Sequence, residues 1–193
     1  MIPMAEAQPS LTSGQCRYGT MTWPVEDAFI GRSLALYGEW AQNEIDFSAQ
    51  FIKPDSVVLD VGSNIGTHAV AFSHLAPHGK VIAVEPQPQL FQILSQNIRT
   101  CAAGNVELIQ AAAAQRRRQI FMQKIEGGGK VNFGGLSVLT RVPENMEERF
   151  DRVPCITIDS LRLKQLDFAK IDVEGFELST LRGMTGSLGR CRP

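Results

Sequence analysis

Short apolar runs and amphipathic stretches alternate through the middle of the chain. After the turn signal Lys53-Pro54-Asp55-Ser56, the run Val57-Val58-Leu59-Asp60-Val61-Gly62 is too short and too apolar for a helix, and it predicts a strand buried on both faces. A helix follows from about Gly66 to Leu75, stopped by Pro77 and Gly79, and then a strand from Lys80 to Val84. A second helix spans about Pro88 to Thr100, and after the Gly104-Asn105 turn a third strand runs from Val106 to Gln110. This βαβαβ order predicts an α/β fold with a doubly wound, mostly parallel sheet and flanking helices. Right-handed crossovers then bring the C-terminal strand ends to one edge.

The flanks are less regular. Residues Met1 to about Gly19 show no apolar period and read as a frayed leader or loosely docked arm. Between Asp27 and Phe51, apolar residues recur at near-helical steps with Gly31 and Gly38 as interruptions, which predicts short helices packed on the core. Residues 1–52 are therefore expected to be an arm and helices packing on a domain that spans 53–193. From about Ala111 to Arg152 the rhythm breaks into a loop-rich insertion, with Arg116-Arg117-Arg118, Gly127-Gly128-Gly129 and Gly134-Gly135 beside short β-like pieces at Ile120 to Ile125 and Leu136 to Thr140. A strand at Val153 to Ile158, a short helix capped by Asp159, a central strand at Phe168 to Val173 and a helix at Glu177 to Met184 complete the reading.

Charge and composition narrow the function classes. The 193 residues carry 19 Lys+Arg against 20 Asp+Glu, a balance that gives no electrostatic grip on nucleic acid. No apolar run approaches the ~20 residues that span a bilayer, and the N-terminus lacks a signal-peptide layout, so a cytoplasmic location is expected. The four cysteines have no CxxC spacing, and the one i,i+4 histidine pair, His74 and His78, is split by Pro77, so no metal site is expected.

Chemistry concentrates where the first strand ends. Asp60 closes it, and the Gly62-Ser63-Asn64-Ile65-Gly66 turn leads directly into a helix, so backbone N–H groups and the positive helix end face whatever lies above the strands. Gly62 permits a positive φ or close approach, Gly66 permits close helix packing, and Asp60 is placed to receive a cationic amino group directly or through water. Glu85 ends the second strand 25 residues later and is followed by Pro86, near the offset at which a carboxylate accepts ribose hydroxyls in dinucleotide folds. Asn64 stands where a pyrophosphate-binding G-x-G-x-x-G needs glycine, and no Gly-Lys-Ser/Thr is present, so NAD, FAD and a phosphoryl donor are disfavoured. A nucleoside without phosphates remains.

The segments VVLDVGSNIGTHAVAF (57 to 72), KVIAVEPQPQLFQILSQNI (80 to 98), NVELIQAA (105 to 112) and ITIDSL…LDFAKIDVEGFELSTLRGM (156 to 184) together resemble the FkbM family of S-adenosylmethionine-dependent methyltransferases. The resemblance implies the class I methyltransferase sheet order 3-2-1-4-5-7-6. It also implies S-adenosylmethionine as cofactor, without an obligatory metal, and methyl transfer to a hydroxyl on a sugar, lipid or secondary-metabolite acceptor. It assigns the cofactor to Asp60, Gly62, Ser63, Asn64, Gly66, Thr67 and His68 around the turn, to Glu85 and Pro86 at the ribose, and to Ala111 and Ala112 near adenine. Glu44 approaches from the N-terminal helices in this reading, or is a surface ion-pair residue. Asn132-Phe133-Gly134-Gly135 and Ser137 match the family's glycine-rich insertion and are read as shaping the acceptor pocket, or as a hairpin tip.

For transfer to an alcohol, the protein must align the partners and accept a proton. Lys170, Asp172 and Glu174 share parity, so if the strand stays extended the two acids project on one face and raise one another's pKa. That makes them the catalytic candidates. In the alternative, Asp172 binds the cofactor or caps the final helix while Glu174 orients the loop. His68 ranks behind Asp172 as base. Only Thr185 to Pro193 follow the last expected helix, so the domain reads as C-terminally incomplete. An open sheet edge would then be available to a partner or a second copy. The competing reading is a non-catalytic or partner-completed nucleoside-binding module.

Overall fold

The computed structural model describes residues 9–125, 138–139, 142 and 147–193. Its centre is a four-stranded parallel sheet in the order β10-β3-β4-β5, formed by β3 (Val57–Val61), β4 (Lys80–Val84), β5 (Val106–Ile109) and β10 (Phe168–Ile171). Helix α3 (Thr67–Leu75) connects β3 to β4, and α4 (Pro88–Cys101) connects β4 to β5. This is the expected βαβαβ unit, within a residue or two at each boundary. The alternating residues of β3 and β4 enter two separate cores. Val58, Val81 and Ala83 pack with Ala69, Phe72 and Leu94 on one side, while Leu59, Val61, Ile82 and Val84 pack with Ala113, Ile158, Leu166 and Met184 on the other. Burial on both faces explains why these strands read as continuous apolar runs.

The N-terminal segment departs from expectation. In place of a frayed arm, β1 (Leu11–Cys16) and β2 (Gly19–Pro24) form an antiparallel hairpin. Buried Asn97 of α4 holds it: its Oδ1 accepts from Thr22 N at 2.7 Å, and its Nδ2 donates to Thr22 O at 2.9 Å and to Ile65 O at 2.8 Å. The Trp23 indole is buried against Gly14 and Gly31, at each of which a Cβ would come within 2.8 Å of the ring. Gly31 is therefore a packing residue inside α1 (Ile30–Tyr37) and no interruption, whereas Gly38 does end that helix in the left-handed region. Helix α2 (Gln42–Ser48) follows.

The 111–152 stretch also holds more order than a loop. Strands β6 (Ala112–Ala113), β7 (Arg118–Gln123), β8 (Val138–Leu139) and β9 (Phe150–Ile156) make a second sheet in the order β6-β9-β7-β8. Ile120, Met122, Val153 and Cys155 form its buried side. Gly127-Gly128-Gly129 and Asn132 to Ser137 lie outside the described residues. Past a short 3-10 turn at Ile158–Leu161, capped by Thr157, Asp159 caps a different helix. Its carboxylate accepts from Gly186 N, Ser187 N and Ser187 Oγ at the start of α6 (Thr185–Cys191). Helix α6 is preceded by α5 (Glu177–Arg182). Among the described residues no strand pairs with the outer side of β10.

Candidate functional site

Above the C-terminal ends of β3, β4 and β10 lies a cleft of about 280 Å³. The β3 end makes it possible. Gly62 has φ 82°, and a Cβ there would overlap the carbonyl oxygen of Asp172, so the glycine turn runs directly against the β10 end. Asn64 also takes a left-handed φ of 51°, a conformation asparagine tolerates better than most residues. At Gly66, with φ 94°, a Cβ would come 2.7 Å from Leu94 Cδ1, so close approach of α3 to α4 requires this glycine too.

Glu85 sits at the β4 end with 5% exposure and lines the cleft. Its Oε2 accepts from Asn64 N at 2.9 Å and its Oε1 from Gln87 N at 2.8 Å, so the β4 acid stitches both strand-to-helix turns together. Burial pushes its carboxyl up to about 7. The two backbone donors pull against that rise, and the nearby Asp60 charge adds to it.

Asp60 has no exposure at all, and neither of its oxygens has a hydrogen-bond partner. The parallel register sets Lys170 directly across from it, with Nζ 3.6 Å from Asp60 Oδ1. The same Nζ lies 3.4 Å from Asp172 Oδ2 and donates to Gly62 O at 3.4 Å. Burial opposes the lysine's charge, but Asp60 and then Asp172 outweigh it and hold Lys170 protonated, above its ordinary range. The cation that Asp60 meets in this structure is the chain's own Lys170.

The two proposed catalytic acids separate. Asp172 continues the ladder by one bond, its N donating to Val61 O at 3.0 Å, and it shares a face with Lys170. The extended run then ends: Glu174 has φ 45° and Gly175 φ 85°. Strand parity does not carry Glu174 to the face of Asp172, and the nearest charged partner of Asp172 is the lysine. Nor does Asp172 cap α5. The N-cap Phe176 makes no side-chain cap bond, and Glu177 Oε1 accepts from Val173 N and Gly175 N in the turn before the helix. Both acids still line the cleft.

On the far side, His68 of α3 is buried, with Nε2 3.4 Å from Glu44 Oε2 of α2. Burial pushes its imidazole down from the ordinary value, with Lys170 adding to the fall and Asp60, Glu44 and Asp172 opposing it.

Of the residues expected at the site, Glu44, Gly62, Ser63, Asn64, Thr67, His68, Glu85, Pro86, Ala111, Ala112, Asp172 and Glu174 line this one cleft. Asp60 and Gly66 do not line it and act from behind, through Lys170 and through helix packing. Sequence reasoning missed Lys170 as a cleft residue, along with Phe29, Ile30, Trp40, Gln87, Leu90, Met122 and Phe176. Lys170 was accessible to it, because aligning the parallel strands places the lysine opposite the aspartate. The aromatic wall from residues 29–40 carries no motif and depends on tertiary docking. Among the described residues, no group of three or more His, Cys, Asp or Glu is arranged to hold a metal ion.

A parallel sheet with one cleft at its C-terminal edge, a glycine turn on the first strand and an acid on the second, is the architecture of a class I methyltransferase fold. Residues 60–193 match the family described as Methyltransferase FkbM domain. The chain belongs to the FkbM methyltransferase family. It is 31% identical over 164 residues to the hexuronic acid methyltransferase AglP of Haloferax volcanii, across 82% of this chain and 62% of that protein. It is 26% identical over 152 residues to the 2-O-methyltransferase NoeI of Sinorhizobium fredii, across 72% of this chain and 62% of that one. The chain thus spans about three fifths of the length of these relatives. Among solved structures, M. jannaschii TYW2 in complex with AdoMet overlaps 54% of this chain and 45% of its own, with 21% identity and a TM-score of 0.39.

Proposed function

We propose that the cleft binds S-adenosylmethionine and that the protein transfers its methyl group to a hydroxyl of a sugar, lipid or secondary-metabolite acceptor. The observation that carries this reading is Glu85. Each of its oxygens accepts one backbone N–H, which leaves lone pairs free for a ribose diol from the cleft it lines. The charge balance agrees. Among the described residues, Glu44, Glu85, Asp172 and Glu174 line the cleft against one lysine, Lys170, a balance suited to a ligand that carries a sulfonium and an ammonium. When bound, S-adenosylmethionine supplies an electrophilic methyl group. Glu85 would hold the ribose, the turn at Gly62 to Asn64 would border the methionine part, and Ala111 and Ala112 would lie near adenine.

A sugar acceptor draws support from the two relatives named for hexuronic acid and 2-O-methylation. The test is calorimetry with S-adenosylhomocysteine, followed by transfer from labelled donor to a panel of hexoses and hexuronic acids. Glu85→Ala is expected to weaken binding of the product by at least ~1 kcal/mol through lost ribose hydrogen bonds. Unchanged affinity contradicts the assignment.

The outer side of β10, unpaired among the described residues, favours a second reading, a nucleoside-binding module completed by a partner strand. Product binding without transfer to any acceptor, together with sedimentation as a dimer or heteromer, would support it.

A further inference from the structure

His68 is the group in the cleft whose chemistry the fold does not use. It is the second residue of α3, behind the Gly66 turn, and only 6% exposed. Lys170 lines the cleft with Asp60 paired to it from behind. Glu85 stands at the end of β4, whereas His68 opens α3 against Glu44 of α2. The histidine follows the Gly62 to Gly66 turn, where the methionine part of the ligand belongs in the reading above. Its Nε2 is sealed from solvent, makes no hydrogen bond, and lies 3.4 Å from one carboxylate oxygen, Glu44 Oε2. A carboxylate facing Nε2 favours the tautomer that carries its hydrogen there, and this leaves the lone pair on Nδ1. Carboxylate, imidazole and a free ring nitrogen in that order are the parts of an oriented general base.

Asp172, the alternative base, is in a different state. Its Oδ2 lies 3.4 Å from a lysine held in its charged form. A carboxylate committed to a cation gives up that contact on taking a proton, whereas the His68 imidazole gains a favourable interaction with Glu44 when it becomes charged. Burial, with Lys170 adding to it, keeps the ring neutral beforehand, and Asp60, Glu44 and Asp172 steady it afterwards.

We propose that His68 Nδ1 is the base that takes the acceptor's hydroxyl proton, with Glu44 orienting the ring and stabilising the imidazolium. This rests on the methyl-transfer reading. As the acceptor's O–H bond breaks, its proton passes to Nδ1 and the oxygen pair forms the new O–CH3 bond. The C–S electron pair stays with the donor's sulfur, and the positive charge leaves the sulfonium as one appears on the imidazole.

Two measurements test it on the full chain saturated with S-adenosylhomocysteine. Nitrogen-15 NMR of the histidine rings at pH 7.5 should show His68 neutral with hydrogen on Nε2. In Glu44→Gln the ring should titrate at lower pH than in the wild type. A neutral ring with hydrogen on Nδ1, or a ring already charged at pH 7.5, overturns the proposal whether or not an acceptor is known. With an acceptor from the sugar panel, His68→Gln should lose at least about a hundredfold in kcat, a far larger factor than its loss in product affinity. The acid limb of the pH–rate profile should disappear with it. Wild-type turnover in His68→Gln overturns the proposal, with methyl transfer itself intact. Failure of the wild-type chain to bind S-adenosylhomocysteine overturns the underlying reading instead.

Discussion

At Glu85 a carboxylate is buried between two backbone donors without a cation of its own, and its carboxyl is pushed up to about 7. The folded state therefore holds that proton more tightly than the unfolded chain, whose value is near 4.5. Its contribution to stability is fully present below pH 4.5 and is lost as the pH rises through about 7. Glu85→Gln leaves one of the two backbone donors without an acceptor, so its effect on stability should be unfavourable at pH 4.5 and more favourable at pH 8 by up to about 3 kcal/mol, while product binding weakens. Urea unfolding at the two pH values checks this, and equal shifts at both would contradict it. The buried pair beside it behaves oppositely. Lys170→Met strands the Asp60 charge and should destabilise by about 3–5 kcal/mol, much of it recovered by adding Asp60→Asn. No recovery in the double variant, measured by the same unfolding, would show that the pair is not what the lysine serves.

Among the elements, the hairpin shows how tertiary contacts organise a segment with little pattern of its own. Leu11–Cys16 alternates mostly polar residues, and only Met21 and Trp23 of the following strand are large buried residues. What fixes it is Asn97, three hydrogen bonds reaching β2 and the glycine turn from the middle of α4. Asn97→Leu leaves Thr22 N, Thr22 O and Ile65 O without that partner and should destabilise by about 2–4 kcal/mol, with loss of amide protection at Thr22. Wild-type protection there would contradict the bridging role. A polar residue in a helix gives no hint of such a bridge from sequence alone. The strands β3 and β4, by contrast, were legible because burial on both faces writes itself as uninterrupted apolar runs. The β7–β9 pairing was half legible, as the glycine clusters around it signalled loops while its buried residues Ile120, Met122, Val153 and Cys155 signalled a sheet.

Across the whole molecule, residues dispersed from Glu44 to Glu174 converge on one cleft because the parallel sheet sends every strand's C-terminal end to the same edge. That convergence follows from topology, and so the turn residues, Glu85 and Asp172 could be anticipated from the βαβ order and the family resemblance. The side-chain relations inside the cleft could not. Whether Asp172 faces Glu174 or Lys170 depends on where the strand stops, and a left-handed residue at Glu174 is not written in the alternation before it. The Glu44–His68 contact depends on how α2 docks against α3. If this edge holds a nucleoside with a sulfonium-bearing tail, a crystal structure of the chain with S-adenosylhomocysteine will show the ribose hydroxyls within hydrogen-bonding distance of Glu85 and the amino-acid end over Gly62, on the His68 side. An empty cleft at saturating ligand, or the ribose away from Glu85, would contradict it.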